Sequence, residues 1–423
     1  MHIGMLCPEM TGHLNPTRAL GHALERAGHR VSLVGPQSLV DEDRLEGFGI
    51  VEIGREEYET GAKLADRKKL SEMSGLAAVR HTGRMLASEA AVATRDLPAQ
   101  LRAASVDALV VDQVCPAGIA VADACGVPCA IICNAPPLIR DAAVPPVVTP
   151  WIHKPGMLSA VRNRIGYGIM RAATLPVERV VNEYRQQNGL PKVRVDASDH
   201  GELVAVTQQP AFIDYPEFKL PRHFHRTGPW HSPDRDAAMP FEWDRLNGKP
   251  LVYASLGTLQ NRRIDLYVAI AAACMGLDVQ LVLTMGRKDE IPEFPLPEDA
   301  IVVPYAPQLQ LLRRAAVAIT HSGLNTVLEA LTCGLPMVAI PITNDQPGVA
   351  RRLERLGVAR VVMPRQASAE RIRAGLVEAL DGGEMRAASL RCQEAIKTGP
   401  GVTEAAQLIS DAFTSGRRIE RNP

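Results

Sequence analysis

The sequence carries no surplus of charge: 47 Lys and Arg stand against 47 Asp and Glu, a formal net charge of +0. No global field therefore draws nucleic acid or an anionic membrane. The N-terminus lacks a basic region followed by a long apolar core, and no apolar stretch reaches bilayer-spanning length. A soluble, cytoplasmic protein with no nucleic-acid partner is expected. The 8 cysteines never form C-x-x-C, the spacing of a zinc or redox site. Cys125, Cys129 and Cys133 fall on a strand and its approach, where buried thiols belong. Repeats and low-complexity tracts are also missing. After the first apolar run comes "CPEMTGHLNP" rather than G-x-G-x-x-G, which argues against a dinucleotide dehydrogenase.

What is present, over 423 residues, is strand–helix alternation in two halves. "HIGMLC" reads as a strand and Pro16 to Ala27 as a helix, with Asn15 as its cap, Pro16 in the first turn and Gly28 past its end. A loop, Pro8 to Leu14, is left before that helix, and "RVSLVG" completes a βαβ unit. "DALVVD" and "PCAIIC" continue the rhythm. Residues 134–156, "NAPPLIRDAAVPPVVTPWIHKPG", follow neither period; they fit a loop lining an apolar pocket or one packed on its own domain. Residues 157–185 read as a helix whose Arg162, Arg164 and Arg171 form a solvated basic face, transient membrane contact being the alternative. A Pro-, His-, Asp- and Gly-rich stretch at 215–250 reads as the interdomain connection. Strands then resume with "LVYASLGT", "VQLVLTM", "AIVVPY", "AVAIT", "PMVAIP" and "ARVVM". The expected fold is α/β, two doubly wound parallel sheets facing each other.

In open parallel sheets ligands bind beyond the carboxyl ends of strands, so the residues just after each strand are informative. "ITHSGLNTVLEALTCG" breaks an apolar run at His321, Ser322 and Gly323 and restarts at helical spacing, which creates an anion site at a helix N-terminus. Ser255, Gly257 and Thr258 form a small-residue turn through which backbone N–H groups can approach the same anion. Asn325 and Thr326 lie in the helix's first turn. Glu329, one turn deeper, suits a pair of ribose hydroxyls. Tyr305 offers a flat face to a base, and Asp345 and Gln346 two polar groups to a hexose. Together these describe a nucleotide-sugar pocket.

The segment "PYAPQLQLLRRAAVAITHSGLNTVLEALTCGLPMVAIPITNDQPG" resembles the donor-binding signature of glycosyltransferase family 1, the UDP-sugar-dependent enzymes of plants and bacteria. "SLGT", "GHLNPTRALGHALERAGH" and "VVDQVCPAGIAVADACGVP" extend the likeness over most of the chain. Through "YASLGTLQNR" and "VAIPITNDQPGVA" it is most similar to bacterial zeaxanthin glucosyltransferases and their cyanobacterial relatives. The resemblance implies the GT-B fold: two Rossmann-like domains, 1–225 for the acceptor and 226–400 for the donor, with 401–423 returning to the first. It also implies Ser255, Thr258, His321, Asn325 and Thr326 at the diphosphate, Glu329 at the ribose, Tyr305 at the base and Asp345 and Gln346 at the sugar. Gln308, in "PYAPQ", joins this donor set. Plant members carry Trp where this chain has Tyr305 and Leu324, so dTDP-sugars stay beside UDP-glucose as donors.

Transfer requires a base for the acceptor hydroxyl and stabilisation of a departing diphosphate. His13 is the candidate base and Asp112, ending "DALVVD", its orienting partner. Direct displacement predicts inversion at the anomeric carbon. No cofactor and no metal are expected. "DED" at 41–43 reads as the acidic start of a helix, "DEDRLEGFG". The partners expected are a UDP-sugar and a small lipophilic alcohol such as a carotenoid or polyketide, with at most peripheral membrane contact; the sequence is silent on oligomeric state. A nucleotide-sugar epimerase and a catalytically silent nucleotide-sugar binding protein are the alternatives.

Overall fold

Strands buried on both faces read as unbroken apolar runs, and the central strands of both sheets are of this kind. The computed structural model describes all residues except 42–46, 62–65, 67–68, 71–72, 74, 233–234, 236–238, 260, 287–292 and 423. β1 (His2–Leu6), β2 (Arg30–Gly35), β3 (Gly49–Glu52), β4 (Ala108–Asp112), β5 (Cys129–Cys133), β6 (Val204–Thr207) and β7 (Phe224–Arg226) form a parallel sheet ordered β3-β2-β1-β4-β5-β6-β7. β8 (Leu251–Ser255), β9 (Gln280–Thr284), β10 (Ile301–Val303), β11 (Ala315–Thr320), β12 (Met337–Ala339) and β13 (Ala359–Val361) form a second, ordered β10-β9-β8-β11-β12-β13. Each order reverses once, between β1 and β4 and between β8 and β11. Those two switch points are where the carboxyl edge of a doubly wound sheet opens a crevice.

Both faces of the first sheet are covered. Ile3, Met5, Leu20 and Leu33 pack with Ile409 and Phe413 of the helix Gly401–Ser415, which thus lies on the first domain. His29 Nε2 meets Ser410 Oγ at 2.9 Å, and the Ile419 amide donates to the Leu203 carbonyl at 2.9 Å. Leu97 and Val181, from the helices Gly75–Ala103 and Met157–Gln187, cover the other face. All eight cysteines are free thiols, and burial raises the pKa of Cys129 and Cys133. Among the described residues no helix is long and apolar enough to cross a membrane.

Several local expectations are corrected. The first helix runs Thr11–Arg26, with Met10 and not Asn15 at its N-cap. Pro16 therefore sits inside the helix, and His13 in its first turn rather than in a loop. Proline has no N–H, so the carbonyl four residues back, that of Gly12, receives no intrahelical bond. β7 lies within the stretch read as a connection; three residues between Pro221 and Gly228 are too few to show a period. The "DED" reading falls mostly outside the described residues; Asp41 is part of the helix Ser38–Asp41, and Gly49 belongs to β3. The loop 134–156 packs across to the second domain: Val147 accepts from the Gly348 amide at 2.8 Å and Pro150 from Arg351 Nε at 2.8 Å. A side chain at Gly348 would collide with the Val147 backbone.

Candidate active site

β1 and β4 are neighbours in the first sheet, with Leu6 opposite Val111. Asp112, the last residue of β4, is thereby brought beside the helix that follows β1. His13 Nδ1 lies 2.7 Å from Asp112 Oδ2, and the carboxylate is fully buried. Its other oxygen, Oδ1, accepts from the Val114 amide at 3.1 Å. Asn134, next after β5, sets its Nδ2 2.7 Å from Asp112 Oδ2, 2.8 Å from Thr17 Oγ1 and 3.1 Å from the His13 carbonyl. With Nδ1 donating to an ionised Asp112, the neutral His13 ring has Nε2 bare, the acceptor a general base needs. Burial disfavours the imidazolium, but the Asp112 carboxylate outweighs it, with Asp345 and Glu89 adding, and the His13 pKa is raised above its usual value.

In the second sheet β8 and β11 are adjacent, with Ser255 opposite Thr320, so the small turn and the His-Ser-Gly break meet at one edge. A Cβ at Gly257 would fall 2.6 Å, and at Gly323 2.5 Å, from His321 Nε2. Only glycines leave that ring edge its room. Burial, opposed by the Ser255 backbone, lowers the His321 pKa to about 4. In the ligand-free chain the ring is therefore a neutral donor and brings no full charge to the anion site. The helix Leu324–Thr332 has Gly323 at its N-cap with no side-chain cap, which leaves its first N–H groups to an incoming anion. Ser322 (φ 69°) and Asn344 (φ 53°) hold left-handed backbone beside this edge, a conformation that clusters at functional sites.

Glu329 is buried with both oxygens engaged: Gln308 Nε2 donates at 2.6 Å and Arg235 Nη1 at 2.6 Å. Gln308 also lies 3.4 Å from Thr326 Oγ1 and accepts from the Tyr253 hydroxyl at 3.0 Å. Tyr305 is 40% exposed, as a stacking face requires, and Thr258 is exposed. Gln346 turns its Oε1 inward, accepting from the Ile342 and Thr343 amides at 2.8 and 2.9 Å, so only its amide nitrogen is left to meet a sugar. Burial raises the Asp345 pKa against the opposing His13.

Asn325 joins the halves. Its Nδ2 donates to the Gly12 carbonyl at 2.6 Å, the acceptor Pro16 leaves vacant, while its Oδ1 accepts from Gln208 Nε2 at 2.7 Å. Gln208 also reaches the Asn134 carbonyl at 2.6 Å. The N-termini of the helices Thr11–Arg26 and Leu324–Thr332 thus meet across the cleft. A small apolar cavity lies at the carboxyl ends of β1, β2 and β4, lined by Leu6, Val34, Ile53 and Val92, with Glu9 and Glu89 at its wall. Among the described residues one trio has metal-ligand reach, Asp199, Glu202 and His223. Its groups are already paired: His223 with Glu202 at 2.8 Å and Asp199 with Arg418 at 2.6 Å.

The family model for "UDP-glucoronosyl and UDP-glucosyl transferase" matches residues 174–392, more than half of the chain and the whole donor edge just described. The chain belongs to that family. Over its full length this transferase is 28% identical to the zeaxanthin glucosyltransferase of Pantoea ananas, covering 99% of this chain and 97% of that one. Its fold matches the solved glycotransferase of kitacinnamycin with a TM-score of 0.73 at 22% identity, covering 97% and 98% of the two chains. The glycosyltransferase VinC, solved with dTDP, matches with a TM-score of 0.66 at 20% identity, over 98% and 100%. The protein is a glycosyltransferase of the GT-B type. Sequence reasoning missed Asn134, Gln208 and Arg235 of this transferase. Asn134 directly follows a recognised strand and the strand-end rule reaches it; Gln208 follows β6, which has only four residues. Arg235 carries no local signal at all.

Proposed function

We propose that this glycosyltransferase moves a hexose, glucose in the first instance, from a UDP-sugar to a hydroxyl of a small lipophilic acceptor with inversion of the anomeric carbon. The observation that carries the reading is the His13–Asp112 pair at 2.7 Å, set where the two switch points face each other. His13 Nε2 takes the acceptor's proton as its oxygen attacks C1. The bond from C1 to the diphosphate breaks, and the charge moves onto diphosphate oxygens facing the Leu324 helix N-terminus, His321, Ser255 and Thr258. Glu329 and Gln308 hold the ribose once Arg235 yields, Tyr305 stacks on the base, and Asp345 with the Gln346 amide nitrogen grips the hexose. The apolar loop 134–156, whose Val147 and Pro150 reach the second domain, supports a lipophilic acceptor. The helix dipole and N–H donors carry the leaving-group charge in this scheme, so metal-independent transfer belongs to the proposal. VinC's bound dTDP makes dTDP-sugars the second donor reading.

The test is product analysis by mass spectrometry and NMR, with UDP- and dTDP-sugars against hydroxylated carotenoids, polyketides and flavonoids, in excess EDTA. An acceptor glycoside with inverted anomeric configuration is expected. Retention, isomerisation of the sugar without an acceptor, or nucleotide binding without turnover would each overturn the reading.

The His13 pKa adds a pH dependence. The base works only when neutral, so activity should hold above the raised His13 pKa and fall as pH drops through it. Asp112→Asn removes the main cause of the rise. Its pH–rate profile should keep an acid limb displaced downward by about one unit or more, and an unmoved limb would remove Asp112 from the pair.

A further inference from the structure

The helix Met157–Gln187 was expected to turn a basic face to water, and it turns an apolar one. Met157 is 82% exposed, Leu158 88% and Ile165 60%, and Val161, Ile169 and the preceding Ile152 are exposed with them. Residues 157, 161, 165 and 169 follow one another at four-residue steps and so make a single stripe. Half of the twelve large apolar side chains exposed among the described residues come from these 18 positions, a concentration that marks an interaction site rather than scattered surface.

The arginines lie beside this stripe or are paired away from it. Arg171 is paired with Glu178 and Asp196, each at 3.0 Å. Arg162 lies 5.0 Å over the Trp151 ring and donates to the Ile152 carbonyl at 3.2 Å, its head remaining at the rim of the stripe. Lys154 and Arg164 are exposed with no ion pair among the described residues. From 142 to 177 the chain has no Asp or Glu, while Lys154, Arg162, Arg164 and Arg171 all fall within it. Among the described residues, apart from the partners of Arg171, the carboxylate in an ion pair with this stretch is Glu217, 3.6 Å from His153. An apolar stripe rimmed by cations and free of its own anions fits one partner chemistry, an anionic bilayer surface.

The back of the same helix ties it to the cleft. Asn163 Nδ2 donates to the Ala142 carbonyl at 2.9 Å, and Gly166 gives room to Pro146 and Trp151. These belong to the loop whose Val147 and Pro150 bind the second domain.

We propose that the Ile152–Ile169 face docks peripherally on anionic lipid. Met157, Leu158, Val161, Ile165 and Ile169 enter the headgroup–acyl boundary, and Lys154, Arg162 and Arg164 meet lipid phosphates. The docking stands on these exposed side chains and does not depend on the acceptor reading. Where that reading also holds, a lipophilic alcohol dissolved in the bilayer reaches the cleft past one loop without crossing water.

The test is co-sedimentation of the full chain with vesicles of phosphatidylcholine alone or mixed with phosphatidylglycerol, at low and high salt. The chain should sediment with the anionic vesicles, release at high salt, and bind neutral vesicles about tenfold less or weaker. Leu158→Glu with Ile165→Glu should lower anionic-vesicle binding at least about tenfold, with an unchanged melting curve because both side chains are exposed. A second variant, Lys154→Gln with Arg164→Gln, should lower it only at low salt. Equal binding by wild type and both variants, or none by wild type, would overturn the proposal. So would a dimer in analytical ultracentrifugation that Leu158→Glu and Ile165→Glu dissolve, since the face would then belong to a second copy of the chain.

Discussion

Replacing His13 by alanine should lower turnover about 10²–10⁴-fold, the range of a positioned general base, while nucleotide affinity by calorimetry stays within about twofold. The contrast follows from where the residue sits. His13 lies on the first-domain helix, held by Asp112, whereas the groups expected at the diphosphate belong to the second sheet. Loss of the imidazole removes the proton acceptor without touching that edge. Equal loss of turnover and of nucleotide affinity would mean that His13 binds the donor, and the proposed chemistry would fail with it. Residual activity of the variant should also lose the acid limb in its pH profile, since the group that titrates there is gone.

The second large effect concerns stability. Asp214 is buried and shared by two guanidinium groups, Arg226 Nη2 at 3.1 Å and Arg352 Nε at 2.9 Å. Arg226 ends β7 of the first sheet, and Arg352 belongs to the helix Gln346–Leu356 of the second domain, so one carboxylate binds the halves together. Arg352 and Arg355 lie 4.7 and 5.5 Å over the Tyr215 ring, which closes the cluster from water. Burial already lowers the Arg226 pKa, and Asp214 is the main group opposing it. Asp214→Ala would leave two buried cations facing each other and should cost about 3–5 kcal/mol, read as a lower urea midpoint and melting temperature. Adding Arg352→Met should recover part of that loss because one of the stranded charges is removed. A change below about 1 kcal/mol, the level of an exposed pair, would refute the role.

How far the sequence could be read depended on how local each signal was. Strand ends were legible because strands buried on both faces are short apolar runs, and the polar residue that stops each run is the one aimed at the cleft. That rule leads to Asp112, Ser255 and His321; His13 and Asp345 lie further on, in the segments that follow β1 and β12. The pairing of His13 with Asp112 across 99 residues became readable once β1 and β4 were placed side by side. Side-chain direction was not legible. Gln346 spends its oxygen on its own loop, and Glu329 meets an arginine 94 positions away. Pro16 misled for a physical reason: proline favours a first turn, and nothing in the sequence reveals that Asn325 of the other domain takes up the carbonyl it deprives. The apolar stripe from 157 to 169 was hidden because a helix face is assigned by its neighbours, and interleaved arginines look the same whether they or the leucines and isoleucines point outward.

The carbonyl of Gly12 makes the first helix depend on the other domain for its own completion: proline withholds the donor that would close that turn, and Asn325 Nδ2 supplies one from 2.6 Å away. A defect that one lobe carries is thereby repaired by a side chain from the first turn of the helix Leu324–Thr332 in the other, so the seam between the lobes is written into the backbone of the helix that bears His13.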